Sequence, residues 1–283
     1  MSGILPNGLF ASEWLKVRHR RLTWILLALV PAVIGLLYAL LFLGVASADQ
    51  TPEDAAAWDA RLSLDNVVSF GDAMVYRLVA LFCVILVGSM TANEFGWRTI
   101  LTVTTWTGDR RSLLAGKLAV TGAVALAFIV AAWVTVVAAV VLGSALRGTL
   151  SADSLTFALL PELLRAIAIT WAAAMVYAVI AAALAIWTRS AAGAIAVPLG
   201  ILLLEPLGAA GLAALGGLAD FAANFTLSHN IDSVLAANGP IDGAGEDLSA
   251  YPPAWRGTLF LALFSAVTVL LTLRTLVQRD IRE

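Results

Sequence analysis

Six long apolar runs divide the chain, at residues 22–45, 74–93, 118–142, 166–187, 191–218 and 257–273. Each is close to the ~20 residues that a helix rising ~1.5 Å per residue needs to cross a hydrocarbon layer ~30 Å thick. They are apolar all round rather than on one stripe, so they predict helices surrounded by lipid or by one another. In lipid every backbone N–H and C=O must be paired within the protein, and six such runs therefore predict an all-α bundle of six transmembrane helices in a single transmembrane domain over residues 1–283. Pro198 and Pro206 interrupt the fifth run.

The polar intervals carry patterns of their own. Phe10, Trp14 and Val17 recur at helical spacing with Arg21, while Glu13, Lys16 and Arg20 fall on the other side. This predicts an interfacial helix over residues 8–21, apolar face on the membrane, leading into the first span. In the interval 46–73, Thr51-Pro-Glu-Asp offers a capping residue, a first-turn proline and N-terminal acids, which start a short helix. In the interval 219–255, Leu227, Ile231, Val234 and Leu235 predict a short amphipathic helix, ended by Asn238-Gly-Pro and by Gly243 and Gly245. Tyr251-Pro-Pro leads into the last run, and the whole interval reads as an outer, re-entrant segment.

Composition agrees with the pattern. The chain is 61% hydrophobic and 13% charged, with a mean hydropathy of +0.92, against about 45–50% and 25% in soluble domains. The formal net charge of −2 says little, but its distribution orients the bundle. Lys16, Arg18, Arg20, Arg21, Arg98, Arg110, Arg111, Lys117, Arg189, Arg274, Arg279 and Arg282 fall on one side. Arg61, Arg77, Arg147, Arg165 and Arg256 fall on the other. By the positive-inside bias the first side, with both termini, is cytoplasmic. Nothing suggests binding to nucleic acid. Residues 1–15 lack a basic n-region and the first run is too long for a cleavable signal. Cys83, the only cysteine, lies in the second run and reads as a packing residue. Arginine outnumbers lysine 15 to 2 and alanine is abundant, a composition that suggests a GC-rich bacterial source.

The interval between the second and third runs is the most informative. It reads Glu94-Phe-Gly-Trp-Arg-Thr, a threonine-rich stretch, then Gly108-Asp-Arg-Arg-Ser-Leu-Leu-Ala-Gly-Lys117. Glu94 and Arg98 form an i, i+4 pair in the favoured order. Asp109 is placed to cap a helix beginning at Arg110, and Trp97 and Trp106 suit a membrane interface. A charged, amphipathic insert on the cytoplasmic side predicts a coupling segment at residues 95–117 on which a soluble partner docks: a short coupling helix along the inner face, a turn at Gly108, and Arg110 and Arg111 near that turn, reaching lipid head groups or an acidic groove.

Other chemistry finds little support. The phosphate loop Gly-x4-Gly-Lys-Ser/Thr is absent: Gly116-Lys117 is followed by Leu118, and Arg111 stands where the first glycine belongs. His19 and His229 fall on opposite sides of the membrane and cannot share a metal. Glu205 is the one acid deep in an apolar run and is therefore a candidate for contact with a substrate or a proton. A structural reading has the helix break near Pro206 and leaves Glu205 capping exposed backbone amides of the outer re-entrant segment. Small residues crowd the fourth run, permitting close helix contact, and Trp133, Trp171 and Tyr177 are candidate pathway residues.

In its order of features the chain resembles the permease subunits of type-2 ABC transporters, mostly bacterial exporters. Glu94-Phe95, Thr99, Arg111 and Lys117 are similar to that family's coupling segment, although Arg98 stands where a glycine often precedes the threonine. Val277-Gln-Arg279-Asp280-Ile281 is similar to its tail, and Glu13-Trp-Leu-Lys16 to its N-terminal helix. The resemblance implies a permease subunit of an ATP-driven exporter that is not itself an enzyme. It implies ATPase coupling through Glu94, Arg98, Thr99, Arg110, Arg111 and Lys117. ATP and Mg would bind on the partner, with two copies of an ATP-binding ABC subunit and a second permease copy, most simply as a homodimer. The location implied is the bacterial inner membrane. Two rival readings are a secondary transporter or channel that uses Glu205, and a membrane-embedded scaffold.

Overall fold

The computed structural model describes residues 6–45, 51–96, 110–148, 150, 159–239 and 252–278, and among them helices and turns account for all the regular structure. In chain order the helices are α1 (Pro6–His19), α2 (Arg21–Val45), α3 (Pro52–Arg61), α4 (Val67–Gly96), α5 (Arg110–Arg147), α6 (Leu159–Thr188), α7 (Ala191–Leu215), α8 (Gly217–Ala223), α9 (Leu227–Leu235) and α10 (Ala254–Gln278). Six of them, α2, α4, α5, α6, α7 and α10, are long and apolar enough to cross a membrane. They correspond one to one with the six apolar runs.

α4 and α6 pack along each other to form the centre of the bundle. Alanines make this possible: Ala173, Ala174, Ala178, Ala181 and Ala182 of α6 are buried and let the backbones approach. α5 joins them, with Phe82 and Phe128 meeting edge-on at 6.4 Å. α2, α7 and α10 are peripheral, and only 11% of the most apolar stretch of α7 is buried. Cys83 sits in the core.

Several helices overrun the apolar runs that predict them. At ~1.5 Å per residue α5 is roughly 57 Å long, nearly twice the hydrocarbon thickness, so it projects polar turns beyond the lipid. Arg147 at its far end pairs with Asp59 of α3. α7 does not break at Pro206. It runs through both prolines to Leu215, and the chain turns at Gly216 and Gly217, whose φ values of +68° and +61° suit glycine. In membrane helices neighbouring groups can satisfy the backbone freed by proline, so a proline alone does not end the helix. Between α6 and α7 the chain reverses in two residues: Arg189 adopts φ +54°, and the Ser190 side chain accepts a hydrogen bond from Gly193 N–H.

At the far end of the bundle, opposite α1, the short helix α9 packs against α10, α7, α6 and α4. It comes close to α10 at Gly257, where a Cβ would come within 2.6 Å of the Asn230 carbonyl and of the Ser233 hydroxyl. A backbone carbonyl cannot swing aside. Gly257→Ala should therefore lower the unfolding free energy by about 1–3 kcal/mol, read as a lower melting temperature in detergent. Gly208→Ala, at a glycine with open space around it, is the matched control and should leave that temperature unchanged.

Candidate functional site

The elbow between α1 and α2 sets the geometry of the α1 end. The helix ends at His19, leaving unpaired carbonyls in its last turn. The next helix supplies their donors: Thr23 Oγ1 donates to Val17 O at 2.9 Å, and Trp24 Nε1 to Arg18 O at 2.8 Å. So fixed, α1 lies against α5 and turns Glu13 and Val17 into the protein.

Glu13 meets three other charges there. Its Oε1 accepts from Lys16 Nζ, and its Oε2 lies 2.9 Å from Lys117 Nζ at the start of α5. Glu94, in the last turn of α4, completes the arrangement: its Oε1 is 3.0 Å from Lys16 Nζ and its Oε2 is 2.6 Å from Lys117 Nζ. Two carboxylates and two ammoniums thus alternate in a closed ring with no net charge. Glu13 is 1% exposed, and Glu94 and Lys117 are each 7% exposed, while Lys16 forms the half-exposed corner.

Burial disfavours the Glu13 carboxylate, but Lys117 and then Lys16 outweigh it and hold its carboxyl below the usual range. Burial likewise disfavours the Lys16 ammonium, and the Glu13 and Glu94 carboxylates outweigh it and raise its pKa. Glu13 and Lys16 are therefore both held toward their charged forms. The ring also joins three elements distant in sequence: α1, the end of α4 and the start of α5. The last two are the ends of the segment that the sequence marks for docking.

The other sequence candidates divide. Arg98 and Thr99 lie outside the described residues, as do Asp109 and the predicted short helix between α4 and α5. Arg110 begins α5, and Arg111 is exposed on its first turn. Glu13 and Lys16 belong to the ring, whereas the amphipathic reading of α1 turns both away from the protein. That reading is corrected here. Phe10 and Trp14 are each 39% exposed and stack on one another, Val17 is buried, and the helix spans Pro6–His19 rather than 8–21. The apolar face that looks outward and the acid that looks inward are what a helix between lipid and a buried charge cluster requires.

Glu205 sits at the far end. Its two carboxylate oxygens accept from the backbone N–H groups of Leu227 and Ser228, the latter at 3.1 Å. These are first-turn donors of α9, left without intrahelical partners, and the Thr226 hydroxyl takes the next one, from His229. The other end of α9 is held by a chain of polar contacts: Arg165 Nε donates to Asn238 Oδ1 at 2.7 Å, and Asn238 Nδ2 donates to Asp72 Oδ2. Glu205 thus caps the short helix α9 of the outer segment, while its own helix continues unbroken through Pro206.

The aromatic candidates are not brought together. Trp133 is buried, its ring against Gly71 of α4. Trp171 is 38% exposed and donates to Gly122 O at 2.9 Å, pinning α6 to α5. Tyr177 is fully buried in the core of the bundle.

A bundle with six helices able to span, joined at one end by a buried ion ring and stoppered at the other by a short capped helix, is a multi-pass membrane protein with the architecture of a permease subunit. Residues 9–204 match the family described as ABC-2 family transporter protein, and the chain belongs to that family. The match takes in the whole ring and ends at the residue before Glu205. A comparison with curated proteins returns no match. Members of this family are membrane subunits for transport and in general work with a separate ABC ATPase.

Proposed function

We propose that the chain is the permease subunit of an ATP-driven exporter in a bacterial inner membrane. Both termini face the cytoplasm, two copies form the substrate pathway, and two copies of a separate ATPase bind ATP and Mg. The observation that carries this reading is the ring of Glu13, Lys16, Glu94 and Lys117. A segment on which an ATPase pushes must be fastened to the helices it moves. The ring fastens both its ends, together with α1, through ion pairs buried from competing water. The family membership supports the ATPase as partner, the distribution of arginine and lysine supports the orientation, and the open apolar flank of α7 is available to a second copy.

Docking is assigned to residues 95–117, where Arg110 and Arg111 supply positive charge outside the ring. Reversing both to glutamate should reduce recovery of the ATPase by pull-down from a mild detergent extract, while the melting temperature of the bundle stays within a degree or two of wild type. Arg111 is exposed, and substitutions at exposed positions usually cost about 0.5 kcal/mol or less. Unchanged recovery in the doubly reversed variant would remove the docking assignment.

A further inference from the structure

The outer side of α1 carries a second feature that the ring does not use. Where α1 and the first turns of α2 lean on α5 there is a half-open cavity of about 350 Å³, within the range of small-ligand sites. Trp14 and Arg18 line it from α1, Trp24 and Leu27 from α2, and Ala127 and Phe128 from α5. Its lining is apolar except for Arg18 and Thr23 and contains no acid. Its rim is lipid-like in character: Leu15 and Ile25, beside the two tryptophans, are 56% and 55% exposed.

Trp24 is held by its hydrogen bond to Arg18 O, so one wall is fixed before anything binds. Tryptophan with an apolar body and a polar edge, next to arginine with a long apolar stem, is the combination found where hydrocarbon meets head groups. Arg20 and Arg21 follow immediately in the chain and add positive charge at the same level. We propose that this cavity holds one anionic phospholipid of the leaflet at the α1 end, with its phosphate on the Arg18 side and an acyl chain along Leu27, Ala127 and Phe128. The inference goes beyond the transport reading and stands without it. The bound lipid would brace α1 from outside while the ring braces it from within.

Native mass spectrometry of the full chain, released from detergent after incubation with equal amounts of phosphatidylglycerol and phosphatidylcholine of the same acyl composition, tests it. The wild type should retain one phosphatidylglycerol in about fivefold preference, the size expected for one cation facing an anionic lipid. Arg18 is exposed, and Arg18→Gln should cut the preference severalfold, to the remainder that Arg20 and Arg21 sustain, without abolishing retention. Ala127 is exposed as well, and Ala127→Trp should fill the cavity and lose both lipids while the protein stays folded. Retention of phosphatidylglycerol at the wild-type level in Ala127→Trp would overturn the site. An undiminished preference in Arg18→Gln would overturn the placement of the phosphate.

Discussion

Lys117→Met should destabilise the bundle by about 3–5 kcal/mol, the effect of removing one partner from a buried ion pair. Methionine fills much of the same space, so the loss comes from charge. Glu13 and Glu94 would be left in a nearly dry site with only the half-exposed Lys16 between them. Unfolding in mixed micelles, followed by fluorescence, measures the loss. Adding Glu13→Gln to the same chain should recover part of it, because the second substitution removes one of the two stranded charges. If the ring were an incidental surface cluster, both variants would lie within about 1 kcal/mol of wild type.

The same ring sets a pH window. The pKa of Glu13 is lowered on folding, so its contribution is present above the ordinary glutamate value of 4.5 and is lost as pH falls through the folded-state value. That of Lys16 is raised, so its contribution is present below the ordinary lysine value of 10.5 and is lost as pH rises through the folded-state value. Stability should be level between these limits and decline on both sides. Lys117→Met should flatten the acid limb.

Glu205→Leu should be the other severe substitution. It strips the partner from two backbone donors at the start of α9, Leu227 and Ser228, both residues being buried. Each unpaired donor costs about 1–3 kcal/mol. Glu205→Gln keeps one oxygen that can accept and should retain most of the stability and most of the activity. A folded Gln variant that transports nothing would instead make Glu205 a carrier of protons or cationic substrate, and would favour the secondary-transporter alternative. Melting temperature and transport measured on both variants separate the two readings.

The parts of this fold legible in the sequence are those that lipid imposes. A helix in hydrocarbon must be apolar over its whole surface, so all six spans show as runs. Short helices α3 and α9 show because their caps and periodicity are local, at Thr51-Pro-Glu-Asp and at Leu227, Ile231 and Leu235. Span boundaries are less legible, since α4 and α5 continue as helix where their residues turn polar. The ring was half legible. Glu94 and Lys117 flank the docking segment, but the direction of Glu13 depends on a partner 104 residues away, and no local period records that. A signal did exist in the composition. The chain contains only two lysines against 15 arginines, and Glu13 is the only acid before Asp49. Read as a trait of the genome, the scarcity of lysine hides that both lysines sit in one cluster. An ammonium is compact, with three donors that two carboxylates can share, whereas a guanidinium is a wide planar fork. Glu205 is legible as an exception to apolarity facing the outer segment, but which amides it caps, those of Leu227 and Ser228, no spacing records.

Lys117→Arg tests the central claim most directly, because it keeps the charge of the ring while changing its shape. The measurement is permease-dependent ATP hydrolysis by the complex reconstituted with its ATPase, at equal recovery of that subunit. If the ring transmits motion between the docking segment and the bundle, hydrolysis should fall at least about fivefold, the lower end of ordinary coupling between sites, while the ATPase remains bound. Hydrolysis at the wild-type rate in a folded Lys117→Arg complex would contradict the account.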